Sequence, residues 1–410
     1  MKYELAMHHA RLSRRDALKL GVAGAAAATV GTMFMPGVAG AEEAEPEEGG
    51  RRRGERSGSG PYTDEMFDVA AAAAGGWAPS PYGPDDQRGT FNELTPERTG
   101  DALKLLRRAR EVKTYQLGEV MFNGFPAYPS EPPRLHDMFL LGSGVDFGPE
   151  FAAAGGIQGG TEPAGPNRLV GFEERFAANF TFQIGTQIDG LNHIGVDGTF
   201  YNGFQAVDIA TPTGTSKLGN ENMGPVCTRA VVLDIVGLKV AARATDAYFT
   251  APNGQLVLNG NYRITIDDIE KAMKRQRIKD PIGAGDVPII HTGWNHLVRD
   301  DPDAYLLQEP GIFLAEARYF ADRKPALVAA DTWGLEVLDP ALTNGNAFPV
   351  HQELITHNGI RIGESFVTDA AIADHCYEGV LVATPENVPG ATCGSSPPVL
   401  LGQPGRAPRD

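Results

Sequence analysis

The sequence predicts an α/β fold with a mixed sheet. Two observations carry that expectation. Helical and strand-like patterns alternate along residues 95–332, as in folds that layer helices on a sheet. The composition, 42% hydrophobic and 21% charged over 410 residues, is that of a globular chain large enough for one big domain or two ordinary ones. No internal repeat is present, and nothing calls for a cut within residues 61–410.

Each element follows from local chemistry. Residues 1–41 read as an export signal. Ser13-Arg14-Arg15-Asp16-Ala17-Leu18-Lys19 resembles the twin-arginine consensus, an apolar Gly/Ala-rich run covers residues 20–35, and Ala39-Gly40-Ala41 offers small residues for cleavage. The run is weakly hydrophobic for an anchor, so the expected destination is the periplasm or the extracellular space, with no stable membrane insertion after leader removal. Residues 42–60 join an acidic block, a basic block and a Gly/Ser stretch, the composition of a disordered linker. The remaining domain spans residues 61–410.

Within it, Thr95 caps a helix with Pro96 in its first turn, and Ala102, Leu105, Leu106 and Ala109 share one face. Residues 112–120 read as a strand, and residues 126–133 and 142–160 as long loops with His136 between them. Residues 230–235 are a buried strand. Thr265, followed by Asp267 and Asp268, opens an amphipathic helix over 266–277. A helix over 311–322 and a strand over 326–332 complete the alternation.

The formal net charge of −16 argues against nucleic acid or an anionic membrane surface as partner. The three cysteines, Cys227, Cys376 and Cys393, lack metal-type spacing and allow at most one disulfide.

Residues 183–193 concentrate polar groups around a Gly-Thr step: Gln183, Gly185, Thr186, Gln187, Asp189 and His193. Read as an extended segment, alternation sends Gln183, Gly185 and Gln187 to one face. The stretch resembles the signature H-x-G-T-H-x-D-x-x-x-H of the metal-dependent cyclase (kynurenine formamidase-like) hydrolase family. Gln183 and Gln187 occupy the two motif histidines, and Gly185, Thr186, Asp189 and His193 match. Trp77 and the run from Tyr82 to Asn92 resemble the W-G-x-x-D-x-x-G-x-x-N-x-L-T-P opening of longer bacterial and fungal members. Gly285-Asp286-Val287-Pro288-Ile289-Ile290-His291-Thr292-Gly293-Trp294 is similar to the family's G-D-x-V-L-x-R-T-G-W strand, with His291 where arginine is common. His351 and Glu364 stand where members carry a metal-ligating His and Glu.

The resemblance implies a mixed-sheet swivelling β/β/α-type fold. It also implies a divalent metal, zinc or manganese, one per chain, on Asp189, His351 and Glu364, with Gln183 and Gln187 as neutral, weaker donors. His193 would be the general acid/base, and Thr186, Tyr201, His291, Trp294 and His296 would bind substrate. The implied reaction is hydrolysis of a small amide, cyclic amide or lactone by a homo-oligomer, dimer or tetramer. Two other classes are a non-catalytic small-molecule binding protein, which purified protein would show by lacking stoichiometric metal, and a metal-dependent lyase or isomerase, which product analysis in labelled water would reveal.

Overall fold

Nine strands form the main sheet of the computed structural model: Lys113–Gln116 (β1), Gln187–Asp189 (β2), Val226–Asp234 (β3), Val287–His291 (β4), Leu327–Ala330 (β5), Arg361–Glu364 (β6), Glu378–Ala383 (β7), Cys393–Ser395 (β8) and Val399–Gly402 (β9). Their spatial order is β1-β9-β7-β3-β4-β5-β6-β2-β8. The central strands β3, β4, β5 and β6 run parallel. The flanking pairs are antiparallel, including β6 with β2 and β2 with β8. The structure describes residues 62–107 and 109–408; the expected export signal and linker at 1–60 lie outside the described residues.

Parallel strands are buried on both faces, so they read as nearly continuous apolar runs. β3 shows the division of labour. Val231 and Leu233 enter one core with Ile290, Leu314 and Phe320, while Ala230 and Val232 enter the opposite core with Phe91, Tyr115, Phe366 and Leu400. Three helices form as the sequence predicts, with shorter bounds: Pro96–Lys104 (α1), Ile266–Arg275 (α2) and Leu314–Ala321 (α3). At α2, Thr265 Oγ1 accepts from Asp268 N at 3.2 Å and Asp268 Oδ2 accepts from Thr265 N at 3.3 Å, a reciprocal cap worth ~1 kcal/mol.

The segment 112–180 departs from expectation. The strand foreseen over 112–120 covers only Lys113–Gln116. The segment instead holds a short helix, Gly148–Ala153, within the expected 142–160 loop, and a separate three-stranded sheet of Met138–Ser143, Ile157–Gln158 and Gly171–Phe176. The register pairs Met138 with Phe176 and Ser143 with Gly171, contacts too distant in sequence for a local pattern to show. The apolar side chains of that sheet stay outside the core, with Phe172 59% and Met138 45% exposed. All three cysteines are free thiols. Among the described residues no helix is long and apolar enough to cross a membrane.

Candidate metal centre

The short strand β2 places its residues between β6 and β8: Gln187 lies opposite Glu364, and Asp189 opposite Cys393. The chain reaches β2 through a bend rather than an extended run. Gly185 has φ +72°, and a Cβ there would collide with Met121 Sδ, so only glycine suits the position. The bend still leaves Gln183 and Gln187 on one side, where Gln187 Nε2 donates to Gln183 Oε1 at 2.7 Å.

His351 arrives from the turn Pro349–His351. The fully buried Glu336 anchors that turn: its carboxylate accepts from Val350 N at 3.1 Å and from His351 N at 3.3 Å, and lies 2.6 Å from His351 Nδ1. This fixes the ring with Nε2 pointing at two carboxylates, Glu364 Oε1 at 3.4 Å and Asp189 Oδ2 at 3.9 Å. One ligand atom from each of Asp189, His351 and Glu364 lies within 4.8 Å of the others. A carboxylate behind a ligating histidine is the usual outer partner of a metal site.

The donor set fits a divalent cation. Asp189 Oδ2 and Gln187 Oε1 are buried without a hydrogen-bond partner, and a buried polar oxygen left unpaired is costly. Two carboxylates and an imidazole suit zinc or manganese. The electrostatics agree. Burial, then the Glu364 charge, holds Asp189 well above the usual carboxylate range. Burial also raises Glu364, against the opposing hydrogen bond from His351. Burial disfavours the His351 cation, yet its hydrogen bonds to Glu336 and Glu364 together raise it well above an ordinary histidine. A cation entering here displaces protons.

The amides in place of the motif histidines form a directed chain. Gln187 Nε2 donates to Glu364 Oε2 at 2.8 Å and to Asp189 Oδ1 at 3.3 Å as well as to Gln183. Gln183 must therefore present its oxygen to Gln187 and its nitrogen to His193 Nδ1, at 3.2 Å. This makes Nδ1 an acceptor and leaves the ring proton on Nε2. Burial, the His351 charge and Arg134 push His193 down to about 3, so the ring is neutral near pH 7.

The remaining predicted residues divide. Thr186 is a strut: Oγ1 accepts from Glu119 N and donates to Ser365 O, both at 2.7 Å. Tyr201 is buried, its hydroxyl held by Ser80 at 2.5 Å and donating to Asp86 at 2.8 Å. Trp294 is buried in a core cluster and donates from Nε1 to Tyr305 O at 3.1 Å. His291 and His296 line a different cavity, one that none of Asp189, His193, His351 and Glu364 lines.

Sequence reasoning missed several neighbours. Glu336 was detectable: an acid between Leu335 and Val337 reads as a buried charge in need of a partner. Arg361 is fully buried, donates from Nη1 to Asp189 O at 3.1 Å and lies 4.9 Å over the Phe91 ring; burial lowers it to about 9. Phe348 packs 5.2 Å from the His351 ring and belongs to an aromatic group with Tyr128 and Trp333. No local pattern announces those three.

A solved structure described as a novel cyclase matches with a TM-score of 0.61 at 26% identity, over 82% of this chain and 99% of its own. An isatin hydrolase bound to the product analogue thioisatinate matches with a TM-score of 0.47 at 15% identity, over 76% of this chain and 100% of its own. Isatin hydrolase A from Ralstonia solanacearum gives 0.48 at 16% identity, over 75% of this chain and 98% of its own. No curated protein matches the chain. The sequence model of the Cyclase family matches residues 115–337, more than half of the chain, and the chain belongs to that family.

Proposed function

We propose that the protein is a metal-dependent hydrolase of a small amide, cyclic amide or lactone. The observation that carries this reading is the convergence of Asp189, His351 and Glu364 within 4.8 Å around an unpartnered Asp189 Oδ2. These three residues would hold one zinc or manganese ion. Such an ion supplies Lewis acidity toward a carbonyl and lowers the pKa of water.

The chain's own groups do the rest. Glu336 fixes the His351 ring so that Nε2 stays directed into the site. His193 is the group for proton transfer. With Nδ1 accepting from Gln183, its Nε2–H is a donor toward the oxygen or nitrogen that gains charge as the acyl bond breaks. A neutral imidazole serves that role where its pKa is depressed. Of the acid and base roles expected for His193, the geometry supports the donor half. Phe348 packs on the His351 ring and joins Trp333 and Tyr128 in an aromatic wall on that side.

Elemental analysis of purified protein, paired with hydrolysis assays on an amide and lactone panel, tests the proposal. About one zinc or manganese per chain with metal-dependent turnover supports it. A folded protein that neither contains nor takes up either metal sinks it. A second reading, a metal-free binding protein, has one observation in its favour: Gln187 Nε2 already donates to both carboxylates. Ligand binding without stoichiometric metal would establish that reading.

A further inference from the structure

At the carboxyl ends of β3 and β4 lies a cavity of about 860 Å³, within the size range of small-molecule sites. Ligands of open α/β sheets bind beyond the carboxyl ends of parallel strands. Here those ends deliver Asp234 from β3 and His291 from β4.

The cavity is furnished with donors. The His291 side chain is 7% exposed, and its Nδ1 lies 3.1 Å from Asp331 Oδ2 and 3.0 Å from Thr368 Oγ1. Asp331 is fully buried and accepts from Thr292 N, Thr292 Oγ1 and Gly293 N, so it is an immobile anchor. Nε2 is the uncommitted nitrogen of a ring that lines the cavity. His296 is different, because its Nε2 is taken up by Asp369 Oδ1 at 2.8 Å.

Arg275, at the end of α2, lines the same cavity with an incompletely satisfied guanidinium. Its Nε and Nη1 are buried without a hydrogen-bond partner, and the ion pair from Nη1 to Asp234 Oδ2 spans 3.5 Å. Asp234 is itself occupied through Oδ1, which accepts from Gly237 N at 2.8 Å. The two acids on the cavity wall thus have partners of their own, while Arg275 holds only the 3.5 Å ion pair to Asp234 without a hydrogen bond, and His291 Nε2 has no acceptor. A guanidinium beside an imidazole donor is a recognition set for a carboxylate. Val236, Val240 and Leu256 supply an apolar wall. A metal is a poorer fit, since among the described residues only Asp189, His351 and Glu364 bring three ligand atoms together.

We propose that this cavity binds a small carboxylate with an apolar body, its head on Arg275 and His291 and its body against Val236, Val240 and Leu256. The site is separate from the metal centre and stands whether or not the hydrolase reading holds.

Calorimetric titration of the full chain with benzoate, hexanoate and 2-naphthoate tests this, with benzamide and inorganic phosphate as controls. At least one carboxylate should saturate the parent at one per chain and bind the Asp189→Ala/His351→Ala variant within twofold. Arg275→Met should weaken it tenfold or more. Benzamide and phosphate should each bind at least tenfold more weakly than the best carboxylate. Should Arg275→Met fail to fold, Val240→Trp, which fills the cavity, must abolish binding instead. The proposal is overturned if no carboxylate saturates, if binding disappears with the metal-site variant, or if it survives Arg275→Met or Val240→Trp unchanged. Equal binding of phosphate (an anion site without apolar preference) or of benzamide (an apolar site without charge recognition) overturns it too.

Discussion

His351 and His291 are built alike and face different chemistry. Each is buried near the carboxyl end of a parallel strand, and each has Nδ1 beside a fully buried carboxylate, Glu336 at 2.6 Å and Asp331 at 3.1 Å. The carboxylate sets ring orientation in both cases. What differs is the view from Nε2. His351 looks onto Glu364 and Asp189, two acids crowded together with an unpaired oxygen, and the arrangement calls for a cation. His291 looks into a cavity shared with Arg275, and the arrangement calls for an anion. A histidine–carboxylate pair therefore does not define a site; the groups facing the free nitrogen do.

The strongest way to separate the two is the Asp189→Ala/His351→Ala variant. Metal per chain should fall from about one to none, and hydrolysis by ~10³-fold or more. His291→Gln should leave both within about twofold, because the two sites share no lining residue. Equal losses in the two variants would show that they form one functional unit.

The next effect is on stability and has a definite sign. Burial opposes charge on His291, but the Asp331 hydrogen bond and charge outweigh it and raise the ring to about 9. A raised pKa stabilises the fold below the unfolded value near 6.5 and stops doing so as pH rises through about 9. The contribution is of order 3 kcal/mol at most. Denaturant unfolding of parent and His291→Gln should show a gap at pH 6 that narrows by pH 10. Asp369, lowered to about 2 by the hydrogen bond and charge of His296 and the charge of His291 acting against burial, works at the other end: its contribution is present above pH 4 and is lost as pH falls toward 2. A gap that does not change with pH would sink the ion-pair account.

Glu336→Gln should weaken metal binding ~10–100-fold, the usual effect of removing the carboxylate behind a ligating histidine, while Asp331→Asn leaves it unchanged. Because Asp189, Glu364 and His351 all sit above their ordinary values, metal uptake should release protons and weaken as pH falls. Titrations in buffers of different ionisation enthalpy measure the protons directly. The smallest effect is at the aromatic wall. Trp333→Phe removes the hydrogen bond from Nε1 to Tyr305 O at 2.8 Å and should cost ~1 kcal/mol of stability.

Much of this was visible in the chain. The α/β alternation, the Thr265 cap and the apolar runs of β3 and β5 are local patterns, and all form. Asp189, His351 and Glu364 were legible only through resemblance, because their spacing of 162 and 13 residues (351 − 189 and 364 − 351) encodes no geometry by itself. Thr186 and Tyr201 looked like pocket residues because of their place in or near the signature. Their hydroxyls are instead committed to Glu119, Ser365, Ser80 and Asp86.

The sequence alone determined which of the strongly periodic segments become helix or strand, and that the chain carries acids and histidines suited to a metal. These are properties of neighbours along the chain, set by periodicity, capping and backbone sterics. Tertiary structure alone decided what each polar atom faces. Pairing of β2 with β6 and β8 brings Asp189 and Glu364 together, Glu336 aims His351, and the two glutamines orient through the carboxylates they meet. Contacts between residues far apart in sequence come from sheet register and burial, and in a low-dielectric interior they turn the same side chain, histidine, toward a cation in one place and toward an anion in the other.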